Sequence, residues 1–270
     1  MAYGYNHTLF HRLFELAPGL GEFALRGAGA LMGMPMRLEP RLHCVYLHSV
    51  PADLQDRFVA SLRVLSQEAY FINTSELPQA SAEQVRPVIH LSFDDGVKDN
   101  YSLGLKLAAA GIPALFFVLP GYIEQPSSGR GYYWEIPPAQ GLMDWAQISE
   151  LAASGHSIGS HAMWHNRFSD LDEVAVAEEM AISKEMIETR LDCTVEAFSF
   201  PFGRRTDFRP YQVEQAFRLG YRFAFTAIPE PLVAGFSGWQ VGRHGIDCRL
   251  SPAALRLVMN GLLSKLSIAS

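Results

Sequence analysis

"VIHLSFDDGVKDNYSLGLKLAAAG", residues 88–111, holds a strand, a turn and a helix in direct succession. The apolar run Val88–Phe93 reads as a strand, Gly96 as the turn, and the stretch from Asn100 as a helix ending at Gly111. Two carboxylates, Asp94 and Asp95, stand at the junction. Neighbouring side chains on a strand point to opposite faces, so adjacent Asp residues would not ordinarily share a partner. At a strand end, where glycine lets the backbone turn, both can be aimed at one point. Like charges held that close repel unless a cation lies between them or one carries a proton. The junction therefore asks for a cation or a proton.

Outward from this unit, apolar β-type runs alternate with helical patterns. "LHCVYLHSV" (42–50) reads as a strand before the helix "DLQDRFVASLRVLSQ", and "PALFFVL" (113–119) as a strand before a loop from Pro120 to Gly141 rich in Pro, Gly and Ser. "MDWAQISELAASG" reads as a helix capped by Asp144, "SIGSH" as a short strand, and "SDLDEVAVAEEMAISKEMIETRL" as a long helix. "EAFSFPFG" is a strand ending in a turn, "PYQVEQAFRLG" a helix, "YRFAFTAI" and "WQVGRHGID" strands, and "SPAALRLVMNGLLSKLS" a closing helix. Such alternation predicts parallel strands joined by crossovers. With about seven repeats it predicts an α/β fold closed as a distorted (β/α) barrel. The main domain is expected over 43–250, with a C-terminal helix over 251–270.

Hydrophobic residues make up 49% of the 270 and charged residues 19%, a globular mixture. A net charge of −6 carries no nucleic-acid footprint. The three cysteines, Cys44, Cys193 and Cys248, are far apart and form no C-x-x-C pair, so they read as reduced thiols. Residues 1–42 lack the basic start and unbroken apolar core of a secretory signal, and no run of about 18 apolar residues occurs. Leu9, Phe10, Leu13, Phe14, Leu16, Leu20 and Phe23 nevertheless recur at near-helical spacing. That predicts a helical extension, packed on the domain or lying on a membrane surface, and a cytoplasmic or membrane-peripheral location.

In folds of this type ligands gather where the strands end. Asp94 and Asp95, His161, the Pro201-Phe202-Gly203 turn and His244 would then face one rim. In "SHAMWHNRFSDL" (160–171), His161 and His165 are spaced i, i+4, which presents two imidazoles on one side of a helical turn or tight corner. Two imidazoles and a carboxylate make a three-ligand set with an open position, as in catalytic zinc and non-haem iron sites.

These stretches resemble the NodB-like polysaccharide deacetylases. "SFDDG" resembles their T-F-D-D-G motif and "SHAMWH" their H-[ST]-x-x-H motif, in the same order, with "GIPALFFV", "MDWAQISELAASGHSIGSH" and "FSFPFG" following in sequence. The resemblance implies a NodB-homology barrel in which Asp95, His161 and His165 hold a metal, Zn²⁺ first and Co²⁺ or Ni²⁺ as alternatives. It implies that Asp94 is the general base and that the Phe202 N–H, in the Pro201–Gly203 turn, helps to hold the oxyanion. The implied reaction removes acetyl from an N-acetylated amino sugar of a glycan, an oligosaccharide or a lipid-linked precursor. Hydrolysis of a non-sugar amide or a formyl group, or non-catalytic glycan binding, are the rival readings.

Two departures stand out. The family's third motif is often R-x-P-x-G, whose Arg steadies the base, and Ser199 occupies the Arg place here. Arg243, in the last strand, is the expected substitute. The family's Asp that tethers the acid is not visible in "YRFAFTAIPEP". His244 is expected as the general acid, although Arg243 and His244 cannot both face inward on a regular strand. His48 ends the first strand and reads either as a core histidine or as a residue near the site. His90 reads as packing. Tyr133 and Trp134 suit a sugar ring or their own loop, and Arg204 and Arg205 read as a solvated helix start or a phosphate contact.

Overall fold

Val88–Phe93 is a strand buried along its whole length, as an apolar run flanked by parallel neighbours has to be. The computed structural model describes residues 18–31, 33–35, 37–80, 84–125, 141–235 and 238–262. The strands are β1 (Leu42–Leu47), β2 (Tyr70–Phe71), β3 (Val88–Phe93), β4 (Leu115–Val118), β5 (Ser157–Ser160), β6 (Ala197–Ser199), β7 (Phe223–Thr226), β8 (Val233–Ala234), β9 (Trp239–Gly242) and β10 (His244–Gly245). They form one sheet in the order β10-β1-β3-β4-β5-β6-β7-β9-β8, with β2 also on β3. Only the β8–β9 ladder is antiparallel among these pairings. β9 pairs with β7 at one end, and β10, a single residue later, pairs with β1 at the other. The sheet is thus curled into a distorted barrel whose ends meet at Arg243.

The helices are α1 (Pro18–Leu31), α2 (Ala52–Ser66), α3 (Leu77–Ala80), α4 (Asp99–Ala109), α5 (Pro120–Glu124), α6 (Trp145–Ala153), α7 (Glu173–Leu191), α8 (Pro210–Arg218) and α9 (Pro252–Met259). Their ends follow the local chemistry. Asp144 caps α6, its carboxylate accepting the Gln147 N–H at 2.9 Å while the Gln147 amide oxygen accepts the Asp144 N–H at 3.1 Å. Asp172 caps α7 through the Ala175 N–H at 2.9 Å. α1 packs on α9 where Gly29 faces Leu257. No described helix is long and apolar enough to cross a membrane. Residues 1–17 and the 126–140 stretch, with the aromatic residues read there, lie outside the described residues.

Strand periodicity separates two layers. Ile89, Leu91 and Phe93 of β3 join Val45, Leu47 and the helices in the larger apolar core. Cys44, Val88, Leu115, Phe117, Phe225 and Val241 form a second cluster inside the curl. On β3 the inner line continues as His90, Ser92 and Asp94. Polar side chains on an inner face are costly unless paired, so this line marks where function displaces packing.

Candidate active site

The inner line of β3 ends at Asp94, and the residue that closes the barrel reaches it. Arg243 is 1% exposed. Its Nη1 donates to Asp94 Oδ1 at 2.8 Å and its Nη2 to Asp94 Oδ2 at 2.9 Å, a two-point ion pair. Nη1 also donates to Ser92 Oγ at 3.0 Å, Nη2 to Ser199 Oγ at 2.8 Å, and Nε to the Thr226 carbonyl at 3.2 Å. All five guanidinium donors are used. The rings of Tyr46, Phe117 and Phe225 lie 4.6, 5.3 and 5.5 Å from its central carbon. Ser199, at the place of the motif arginine, instead accepts from an arginine that arrives between β9 and β10.

Asp95 leaves the line. Its φ of 71°, followed by 65° at Gly96, turns its carboxylate toward the end of β5. There Asp95 Oδ1 lies 3.4 Å from His161 Nε2 and 3.4 Å from His165 Nε2. The two imidazoles stand 4.8 Å apart and nearly perpendicular. His161 Nδ1 donates to the Ser199 carbonyl at 2.8 Å, which fixes the ring and aims Nε2 at Asp95. Of the non-glycine residues described with left-handed φ, Asp95, Ala162, His165 and Phe202 all border this point. Strain gathered in one place is characteristic of a functional site.

Electrostatics separates the two carboxylates. Burial alone would raise Asp94, but the Arg243 guanidinium, with His161 and His48, holds it below the usual carboxylate range. Burial acts the same way on Asp95, and His161 first, with His48 and His165, keeps it well below that range. Burial would lower His161, yet Asp95 and Asp94 raise it. Burial prevails at His165, whose value falls to about 3, so its lone pair is free of a proton at neutral pH.

The donor set fits a divalent ion. Asp95 Oδ1 is buried and accepts no well-formed hydrogen bond. The two 3.4 Å separations match the edge of a tetrahedron with metal–ligand bonds of about 2.0–2.1 Å, which is roughly 3.3 Å. Asp95, His161 and His165 are the group of potential metal-ligating side chains found among the described residues. A cation there would compete with protons for the same ligand atoms.

His244 falls elsewhere. In the β1–β10 ladder it is paired with Val45, and paired residues of parallel strands face the same side. Val45 belongs to the outer core, so His244 points toward the helix layer. Its ring carbon lies 4.0 Å from where a side chain at Gly261 would begin. Burial, with Arg41 and His43, lowers it to about 4. The interruption of the last strand at Arg243 does not bring both residues inward. His48 follows β1 directly and sets its ring 5.6 Å from that of Tyr46, which itself lies against Arg243. It lies close enough to Asp94, Asp95 and His165 to bear on their titration.

Phe202, with φ 61°, sets its ring 4.8 Å from that of His165. The turn is closed by the Gly203 N–H on the Pro201 carbonyl at 2.7 Å and by the Ala227 N–H on the Gly203 carbonyl at 2.9 Å. Two residues not singled out in the sequence brace it. Arg167 lies over the Phe202 ring at 4.5 Å and pairs with buried Asp207. Asp207 in turn accepts the Arg204 N–H at 3.0 Å. Arg205 pairs with Glu230. His90 is held by Thr74 at 3.1 Å and stacks on Phe225, a packing role.

A strand-end Asp pair, one member locked to an arginine and the other facing two histidines on a curled parallel sheet, defines the candidate site. The polysaccharide deacetylase family model matches residues 81–224, just over half of the chain, and the chain belongs to that family. The Streptococcus pyogenes deacetylase PplD in complex with acetate superposes with a TM-score of 0.62 at 20% identity, over 84% of this chain and 99% of that one. IcaB from Ammonifex degensii gives 0.66 at 21% identity, over 83% and 99%. The BpsB deacetylase domain from Bordetella bronchiseptica gives 0.62 at 18%, over 76% and 96%. At these identities the likeness is one of fold. Among curated proteins none matches the sequence.

Proposed function

We propose that the chain is a metal-dependent de-N-acetylase acting on an N-acetylated amino sugar of a glycan or glycan precursor, with Zn²⁺ as the first candidate ion. The observation that carries this reading is the division of the Asp pair, with Asp94 on Arg243 and Asp95 on the histidines. A divalent ion held by Asp95, His161 and His165 would acidify a water and polarise the acyl oxygen. Asp94 takes the proton of the attacking water. Arg243 occupies one lone pair on each Asp94 oxygen and leaves the others to accept that proton. The guanidinium also lowers the basicity of Asp94, which suits it to an acidified water and not to a bulk one. The Phe202 N–H is assigned to the developing oxyanion. Protonation of the leaving amine is assigned to His48, just past β1 and beside Tyr46, in place of His244. The products are a free amino group and acetate.

Acetate release from N-acetylglucosamine oligosaccharides, with and without chelator, tests the reading. Activity should vanish on chelation and return with Zn²⁺ or Co²⁺. Asp94→Asn should lose at least about 10²-fold in kcat with its metal content unchanged. A protein that binds no metal, or an Asp94→Asn variant with full activity, would sink the assignment.

A further inference from the structure

His165 lies on a stretch, Ala162–Asn166, that belongs to no strand or helix. Ala162 and His165 both take left-handed φ, 67° and 55°, a region that residues with a Cβ enter only when their surroundings require it. Glu179, in α7, supplies that requirement. Its Oε2 accepts the backbone N–H of Met163 at 2.8 Å and of Trp164 at 3.0 Å, and its Oε1 accepts Asn166 Nδ2 at 2.7 Å. Two successive N–H groups aimed at one oxygen form a nest for an anion. Glu179 is 7% exposed, so water cannot readily replace it as acceptor. The three contacts bracket His165 in the chain, two before it and one after.

We propose that Glu179 is a positioning residue for the candidate metal centre, its carboxylate holding the loop so that His165 Nε2 faces Asp95. This rests on the reading of Asp95, His161 and His165 as a metal site. His161 does not depend on the clamp, because it follows β5 directly and is fixed by Ser199. Loss of the Glu179 oxygens leaves two N–H groups, one buried and one half-buried, without their acceptor. The loop then relaxes toward ordinary φ values, and His165 swings away while His161 and Asp95 stay. Glutamine preserves most of the clamp: its oxygen serves the two N–H groups, and Asn166 turns its own oxygen toward the new amide.

The test uses chelator-stripped full-length protein. Zn²⁺ affinity is measured by competition with a chromophoric chelator, and the Co²⁺ absorption spectrum reports the ligand set. Glu179→Ala should bind Zn²⁺ about 10–100-fold more weakly with an altered Co²⁺ spectrum, while Glu179→Gln stays within about 3-fold of wild type. Gln55→Ala is the control for a merely structural loss, since Gln55 is a buried amide that donates to Val50 and Asp99 carbonyls at 3.2 and 3.0 Å. It should lower the melting temperature of the stripped protein and leave Zn²⁺ affinity intact. Should Glu179→Ala fail to fold, Glu179→Asp, one methylene too short to reach the loop, takes its place with the same expectation. Wild-type Zn²⁺ affinity in the folded Ala or Asp variant overturns the proposal, as does an equal loss in Gln55→Ala. A wild-type protein that binds no Zn²⁺ overturns the metal reading and this inference with it.

Discussion

Two identical side chains, Asp94 and Asp95, acquire different chemistry from their partners alone. Asp94 is anchored by a guanidinium with no spare donor, so removing Arg243 uncovers a buried charge. Arg243→Ala should destabilise the protein by about 3–5 kcal/mol, the usual cost of breaking a buried pair from one side. Chemical denaturation measures this, and a loss below about 1 kcal/mol would mean that Asp94 takes up a proton or water instead. Ser199 Oγ lies 2.8 Å from Arg243 Nη2, so a guanidinium reaching from position 199 would enter the same space. The double variant Ser199→Arg with Arg243→Ser should recover part of the acetate release lost in Arg243→Ser alone. An equally inactive double variant would show that the direction of approach matters as well as the charge. At the other side of the reaction, His48→Ala should lower kcat by about 10²-fold or more, and His244→Gln should leave it nearly unchanged. The reverse result would restore His244 as the acid.

At the scale of elements, side-chain alternation accounts for what the sequence revealed and what it hid. "VIHLSF" was legible because β3 is continuous, and its period of two places His90, Ser92 and Asp94 on the inner face. The i, i+4 histidines were legible as a pair, although they stand on a corner between β5 and the next helix and not on a helical turn. The last strand was harder. "WQVGRHGID" reads as one segment, yet β9 and β10 serve opposite ends of the sheet, and only the register with Val45 shows that His244 faces outward. Register between distant strands leaves no local trace in composition. β2 and β8, each of two residues, leave no sequence signal for a related reason: such short pairings are set by tertiary contact and not by propensity. Gly242 makes the closure testable. A Cβ there would lie 2.4 Å from the carbonyl oxygens of both Ile228 and Glu230, which are backbone atoms with little freedom to move. Gly242→Ala should therefore cost about 1–3 kcal/mol, or roughly 2–12 °C in melting temperature, and should lower activity by displacing Arg243. An unchanged melting temperature would mean that the 228–230 segment yields freely.

For the whole molecule, histidines are buried as well as carboxylates, and this shapes its response to acid. His90 is lowered to about 3, by burial first and then by Arg243, and His244 to about 4 by burial, Arg41 and His43. Burial likewise lowers His43 and His156. In the unfolded chain each would titrate near 6.5. Below that pH the unfolded state takes up protons that the folded state refuses, so stability falls as pH drops and is fully present above about 6.5. By pH 5 a histidine held at 3 or 4 has withdrawn about 2 kcal/mol. Asp94 and Asp95 act in the same direction at lower pH, since depressed carboxylates lose their contribution only below about 4. His161, raised by its carboxylates, opposes the trend: its contribution is full below about 6.5 and is lost as pH rises through its folded value. In chelator-stripped protein, where metal release cannot contribute, the free energy of unfolding should drop steeply from pH 7 to pH 5. His90→Met removes one of the refused protons and keeps the ring's place in the inner cluster filled. Its loss over that interval should be smaller than wild type by about 2 kcal/mol, or roughly 4–8 °C in melting temperature. If wild type and variant lose stability in parallel, His90 takes up its proton in the folded barrel, and the acid sensitivity belongs to other groups.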